Sequence, residues 1–194
     1  MKTDIILSGV GGQGILSIAT IIGEAATKSG LKLKQAEVHG MSQRGGDVQS
    51  NLRLSDNEIA SDLIALGMAD MILSLEPMEA LRYLPYLNKD GWIITSSAPF
   101  KNIPNYPEEQ ALIDELKALP HVILVDVDAL AHEHNMPKAA NVILLGAASR
   151  FLGILSVEEL RESIGRVFGS KGEAIVEMNK KAFDIGYAAA DKQG

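Results

Sequence analysis

The apolar run Ile5-Ile6-Leu7 leads directly into Gly9-Val10-Gly11-Gly12-Gln13-Gly14, and a helical pattern starts at Ile15. A short buried strand, a glycine turn and a helix in immediate succession form the opening half of a βαβ unit, which commits the chain to an α/β architecture. Ile15, Leu16, Ala19, Ile22 and Ala26 recur at helical spacing, and Gly30 is a suitable stop. Backbone without side chains can approach a ligand closely, and the free N–H groups of a helix start favour anions. Gly9, Gly11 and Gly14 match the spacing of a dinucleotide-binding turn, but that motif alone is weakly specific. A nucleotide, another anion or partner, and plain close packing stand as roughly equal readings. No Lys-Ser/Thr follows Gly14, which sets a Walker A loop aside.

The next segments qualify the simple βαβ pattern. A second strand is expected over Leu31–Val38, then a loop over His39–Gly46. Asp47–Leu54 alternates, with Val48, Ser50, Leu52 and Leu54 on one face and Gln49, Asn51 and Arg53 on the other. Two strands joined by a loop predict an antiparallel hairpin. Beyond it, Met71–Leu75 reads as a strand, Pro77–Leu87 as a helix with Pro at its first position, and Trp92–Thr95 as a strand. Pro99, Pro104 and Pro107 mark residues 97–107 as a surface excursion. A helix is expected over Pro107–Leu119, a central strand over Val122–Val127, and an unusually apolar helix over Ala139–Leu152. Ser156 with Glu159, and Ser170 with Glu173, spell two capping boxes, the second opening a last helix to about Ala190. Ile175, Val176, Met178, Ala182, Phe183, Ile185 and Tyr187 spread widely around that helix, which leans towards an oligomeric or partner surface, with a deeply buried helix as the plain alternative. At 194 residues the chain suits one domain over 1–194: a three-layer α/β/α fold with a mixed, mostly parallel sheet, a Rossmann-like start and a C-terminal helical pair.

Composition narrows the function classes. The chain has no cysteine, which excludes disulfides, a cysteine nucleophile and cysteine-ligated iron–sulfur clusters within it. A net charge of -7 opposes broad nucleic-acid binding. The four His residues form no metal-binding pattern, so no metal site is assigned. No segment approaches about 18 uninterrupted apolar residues, and the N-terminus does not read as a signal peptide. The expectation is a cytoplasmic, soluble protein with no membrane segment.

The most unusual stretch is Glu37-Val38-His39-Gly40-Met41-Ser42-Gln43-Arg44-Gly45-Gly46. One connection carries His39, Ser42, Gln43 and Arg44 between glycines. In a sheet protein the loops after the first and second strands meet at the carboxyl edge, where ligands bind. Gln13 and the 39–46 loop are therefore expected at one crevice. Glu37 occupies the place of a ribose-binding acid. Taken singly, each of these residues is more often an ordinary loop or surface residue; their joint placement favours a binding loop. Ser42 lies in no G-x-S-x-G elbow, so a hydrolase triad is a poor fit.

GVGGQG, EVHGMSQRGGDV and ADMILSLEPMEALRYL, followed by ANVILLGAAS and NKKAFDIGY, together resemble the gamma-type domain of the 2-oxoacid:ferredoxin oxidoreductases over nearly the whole chain. His-Gly-Met-Ser-Gln before Arg-Gly-Gly resembles the indolepyruvate branch of that family, in which this chain corresponds to the beta subunit. The resemblance implies an accessory subunit, inactive alone, for the coenzyme A-dependent oxidative decarboxylation of aryl 2-oxoacids, with electrons passed to ferredoxin. Thiamine diphosphate, Mg and the iron–sulfur clusters would reside on an alpha partner subunit. The cysteine-free composition fits that division, and no Gly-Asp-Gly…Asn thiamine pattern occurs. Carried over by position, Gly11, Gly12, Gln13 and Gly14 form one loop of the substrate, coenzyme A or interface site. His39, Ser42, Gln43, Arg44, Gly45 and Gly46 form the second. Asn141 and Gly146 would pack beside the first loop, and Glu76, Glu79 and Arg82 would shape a strand-to-helix turn, with Glu79 and Arg82 paired on the helix surface. No catalytic residue is assigned. A stand-alone NAD- or FAD-binding oxidoreductase and a non-catalytic interaction protein stay open as alternatives, as does a homodimer of the isolated chain.

Overall fold

A computed structural model describes residues 1–39 and 45–192. A six-stranded sheet runs in the order β2-β3-β1-β4-β5-β6. The strands are β1 (Lys2–Val10), β2 (Lys32–His39), β3 (Asp47–Ser55), β4 (Ala69–Ser74), β5 (Leu87–Ser96) and β6 (Val122–Val125). β3 is antiparallel to both β1 and β2, whereas β1, β4, β5 and β6 are mutually parallel. The expected hairpin therefore places β3 between the first two strands and pushes β2 to the edge.

Strand alternation sends alternate side chains to two separate cores. Ile5, Leu7, Leu52, Leu54, Met71 and Leu73 face α1 (Ile15–Lys28), α5 (Ala140–Ala148) and α7 (Glu173–Asp191). On the opposite face, Ile6, Ile72 and Ile93 pack with Ala80 and Tyr83 from α2 (Pro77–Arg82) and its end, and with Leu116 of α3 (Glu109–Lys117). The three-layer α/β/α order follows, with the larger core on the α1 side.

Several sequence expectations need correction. The first strand is longer than Thr3–Leu7 and carries Gly9 and Val10 inside it, because β3 pairs with β1 up to Val10. Val122–Val127 is not central: β6 ends at Val125 and lies at the sheet edge. Its apolar sequence reflects cover by helices on the α1 side, since Ile123 and Val125 are in that core. Asp126 then caps a helix not expected from the pattern, α4 (Val127–Glu133), by accepting from Ala129 N at 2.9 Å. The helix from Pro77 stops at Arg82, because Pro85 forces a 3-10 turn over Leu84–Tyr86. The helix expected over Pro107–Leu119 is confined to Glu109–Lys117, with Glu108 as its cap. The helix expected over Ala139–Leu152 ends at Ala148.

Of the two capping boxes, the one at α6 (Val157–Phe168) forms: Glu159 N donates to Ser156 Oγ at 3.2 Å, and Ser156 N donates to Glu159 Oε2 at 2.7 Å. The other does not. Ser170 lies in a 3-10 turn, and Gly172 occupies the cap of α7 with no side-chain hydrogen bond.

The apolar surfaces of α5 and α7 are explained by one close crossing. A Cβ at Gly186 would lie 1.7 Å from the Ile143 carbonyl oxygen, and one at Gly146 would lie 2.0 Å from that of Phe183. Only glycine admits backbones so near one another. Gly146 therefore packs against α7 and not beside the first loop. Val176, Ala182 and Phe183 are buried within the chain, and Met178 and Ile185 pack partly against the same core, so intrachain packing accounts for much of the apolar spread around α7.

At the opposite end of β1, Asp4 is buried and accepts from Arg53 Nε and Nη2 at 2.8 and 3.0 Å, and from Lys2 Nζ at 2.8 Å. Burial alone would raise the Asp4 carboxyl, but the Arg53 and Lys2 bonds outweigh it and hold the group below its ordinary range.

Three stability tests follow. In chemical denaturation, Gly186→Ala should cost about 3 kcal/mol or more, because backbone must separate. Ser156→Ala should cost about 1 kcal/mol and Ser170→Ala only a few tenths. The depressed Asp4 pKa contributes stability that is fully present above its unfolded value near 3.8. That contribution is lost as pH falls through the folded value. The stability gap between the wild type and Asp4→Asn should accordingly narrow on acidification below that range.

Candidate functional site at the carboxyl edge of the sheet

The glycine turn emerges from β1 at the carboxyl edge of the parallel strands. Gly14 caps α1 with φ 93°, a left-handed conformation natural to glycine, and no side chain caps the helix. A Cβ there would also lie 2.6 Å from Asn141 Nδ2. Asn141, in the first turn of α5, donates that Nδ2 to the Gly14 carbonyl at 3.2 Å. Its Oδ1 accepts from Val142 N at 3.0 Å. Asn141 thus ties the starts of α1 and α5 together.

Gln13 is turned inward. Its Oε1 accepts from Val10 N at 2.7 Å, and its Nε2 donates to the Leu75 carbonyl at 3.1 Å. Both ends of the amide are engaged by backbone, so the side chain clamps the turn to the end of β4. This differs from a Gln presented to a crevice shared with the second loop.

The two loops nevertheless meet through the backbone. Gly11 N donates to the Gly46 carbonyl at 2.8 Å, and Gly45 N donates to the Gly11 carbonyl at 3.3 Å. Gly11, Gly12, Gln13, Gly14, Gly45, Gly46 and Asn141 therefore share one edge of the sheet. The His39 backbone lies at the end of β2, opposite Val48 of β3. Ser42, Gln43 and Arg44 lie outside the described residues.

Two crevices flank the turn. One of about 390 Å³ lies between Gly11, Gly12 and Gly14 on one side and Glu37 and Val48 on the other, with Ile15 and Leu16 at its wall. Glu37 reaches it although β3 intervenes between β1 and β2. The second, about 500 Å³, is bounded by Gly12, Gly14 and Ser17, by Phe100, and by Lys138 and Asn141 at the start of α5. The uncapped start of α1 thus borders both spaces, an arrangement suited to anionic oxygens.

Below the turn lies a group of buried acids. Glu76 is fully buried and caps α2, its Oε2 accepting from Glu79 N at 2.8 Å. Glu79 is also buried and accepts from Arg82 Nε at 2.7 Å. The expected pair therefore forms, with its guanidinium exposed but its acid buried. Burial raises the Glu79 carboxyl, and the Arg82 bonds only partly oppose that. Tyr83 Oη donates to Asp47 Oδ2 at 3.3 Å, and its phenol is pushed up by burial and by the nearby Asp47 and Glu79 charges. Residues 97–107, read from sequence only as an excursion, contribute Phe100, Asn102 and Tyr106 to this edge. The three prolines hid that role, since no periodicity marks a segment held by individual side chains.

A model of the pyruvate ferredoxin/flavodoxin oxidoreductase family matches residues 4–189. The chain is 40% identical to "Indolepyruvate oxidoreductase subunit IorB" of Pyrococcus horikoshii, over 96% of this chain and 95% of that one. It is 38% identical to the protein of the same name from Archaeoglobus fulgidus, over 98% and 96%. Among solved structures it resembles the gamma subunit of a keto/oxoacid ferredoxin oxidoreductase from Geobacter sulfurreducens, with a TM-score of 0.70 and 25% identity over 98% and 99% of the two chains. It shares its fold with part of the 2-oxoglutarate:ferredoxin oxidoreductase of Magnetococcus marinus, solved with 2-oxoglutarate, coenzyme A and succinyl-CoA bound. There the TM-score is 0.75 at 22% identity, covering 98% of this chain and 31% of that one.

The inward clamp gives a direct test. Gln13→Ala leaves Val10 N and the Leu75 carbonyl without their partner and should cost about 2 kcal/mol in denaturation, at about 1 kcal/mol per bond. Gln13→Glu keeps the acceptor for Val10 N but loses the donor to Leu75, and should fall between Ala and the wild type.

Proposed function

Since the chain belongs to the pyruvate ferredoxin/flavodoxin oxidoreductase family, we propose that it is the accessory subunit of an indolepyruvate-type 2-oxoacid:ferredoxin oxidoreductase. In the overall reaction an aryl 2-oxoacid and coenzyme A give an acyl-CoA and carbon dioxide, and two electrons leave to ferredoxin. With no cysteine, this chain offers no thiolate ligands for an iron–sulfur cluster. The clusters and thiamine diphosphate belong to the partner subunit in this reading. The thiamine cofactor supplies the carbanion chemistry, and the present chain supplies position and field.

The observation that carries the reading is the backbone junction between Gly11 and the Gly45-Gly46 peptide beside the uncapped start of α1. It brings helix N–H groups and the peptide that follows Arg44 to one edge. Guanidinium and free amides suit a carboxylate or phosphate. Arg44 and the amides after Gly14 accordingly bind an anionic group at the subunit junction, either the substrate carboxylate or a coenzyme A phosphate. Gly12 and Gly14 leave the approach clear, and Asn141 fixes the helix start. Ser42, Gln43 and His39 complete the second loop. No residue of this chain is given an acid or base role.

In the complex assembled with the thiamine- and cluster-containing subunit, Arg44→Ala should raise the KM for coenzyme A or for the 2-oxoacid at least ten-fold in a ferredoxin- or dye-reduction assay. Unchanged assembly, KM and turnover would remove the anion role. The isolated chain should be inactive and should give no calorimetric heat with NAD, NADP or FAD; clear binding would favour the stand-alone nucleotide enzyme instead.

A further inference from the structure

The sheet ends in two unlike edges. β6 is only four residues long, with buried and half-buried positions alternating. β2 is eight residues long, Lys32–His39, and from Leu33 to Val38 every position is exposed or half-buried. It pairs with β3 in unbroken register and contains no proline, so its outer side offers a row of backbone donors and acceptors. Proteins commonly guard such an edge with proline, a bulge or lysines. The two lysines of β2 are drawn aside. Both lie on the α2 face of the sheet, where Lys32 Nζ meets Glu58 at 3.3 Å and Lys34 Nζ meets Asp62 at 3.0 Å. Glu58 and Asp62 belong to the connection between β3 and β4, and they offset the lysine charge. Exposed apolar side chains border the same edge. Leu33 and Val38 are 38% and 53% exposed, one on each face, and Leu16 lines the crevice that Glu37 also reaches.

The order of charges along β2 fits a second copy of the same strand. A two-fold axis normal to the sheet sets the two strands antiparallel and keeps the α1 sides of both copies together. Side chains that meet then share a face, so Gln35 can stand opposite only odd-numbered positions. Opposite residue 33, it would bring Lys34 against Lys34; opposite residue 39, Glu37 against Glu37. Opposite Gln35 itself, it would set Leu33 against Glu37, an apolar side chain against a charge. Opposite Glu37, the Gln35–Glu37 pair is made twice, Ala36 meets Ala36 at the axis, and the Lys34 stem lies along Val38. Gln35 Nε2 donates one hydrogen to Ser50 Oγ at 3.1 Å and keeps a second for that carboxylate.

We propose that β2 is a self-association edge: two copies of the chain join antiparallel through it, Gln35 of each opposite Glu37 of the other, and their sheets become continuous. The pairing runs along the flank of the domain and does not depend on the anion role proposed above.

The test measures the mass of the full chain by sedimentation equilibrium up to about 100 µM, with amide hydrogen exchange followed in β2 and β6. The wild type should pass from monomer to dimer, and exchange should slow with concentration in β2 and not in β6. Gln35→Glu sets carboxylates face to face twice and should weaken the dimer about ten-fold. Gln35→Lys sets opposite charges face to face and should tighten it about three-fold, a gain that a folding defect does not produce. Adding Glu37→Lys to Gln35→Glu should restore wild-type affinity to within about three-fold. A chain monomeric throughout overturns the proposal, and so does a dimer indifferent to both Gln35 variants, which would join through another surface. A dimer weakened by Gln35→Glu but not rescued by Glu37→Lys has a different register and also overturns it. Exchange in β2 that slows only when the thiamine- and cluster-containing subunit is added assigns the edge to that subunit and overturns self-association.

Discussion

The pairing of β3 with β1 along its whole length, to Val10 and Asp47, governs the rest of the site. Because the ladder continues to the last residue of β1, the glycine turn starts against the first residues of β3. Gly11 can then exchange hydrogen bonds with Gly45 and Gly46 without any long side chain reaching across. An inserted antiparallel strand converts two loops that a plain parallel sheet would leave side by side into one bonded unit. Gln13 and Asn141 then secure that unit from opposite sides, to β4 and to α5. Glycine at these positions is required by close approach, and the clamp by the need to satisfy backbone groups in a turn without regular ladder partners.

Much of the fold was legible in the residues. Helical spacing placed α1, the Ser156–Glu159 box placed α6, and period-two alternation placed β3. What misled were local signals whose meaning is set by tertiary context. Val122–Val125 is apolar enough for a central strand, yet its position is fixed by which strand it follows, and the helices covering its face supply the burial. Ser170 and Glu173 have the spacing of a box, but Gly172 supplies a φ of 97° and starts the helix later. The wide apolar surface of α7 looked like an interface because a sequence does not reveal that Gly186 lets α5 approach to backbone contact.

The candidate site was legible in part. Both glycine loops and Asn141 were evident as residues, but their bonds are mainly backbone to backbone, and these leave no trace in side-chain chemistry. Gln13 shows the converse. A polar side chain beside a binding turn invites a ligand role, and here both of its ends are occupied by carbonyl and amide. Tyr106 went unread, and Glu76 was read only as shaping a strand-to-helix turn, for a different reason. They lie thirty positions apart, and nothing local distinguishes a buried acid that organises a distant segment from an ordinary helix cap.

The same geometry bears on why a dinucleotide fingerprint here need not mean a dinucleotide. In the Rossmann arrangement the second strand lies beside the first, and its acidic end meets the ribose of a ligand whose phosphates sit on the helix. In this chain β3 occupies that place and β2 is one strand further out. Glu37 still borders the crevice, but it does so across Val48 of the inserted strand. The anion-binding half of the fingerprint, helix start and glycines, is retained, while the sugar-reading half is displaced. Phosphate or carboxylate affinity depends on the first half alone. A turn of this kind can therefore keep its attraction for anionic oxygens while the displaced second strand no longer brings an acid directly beside the first.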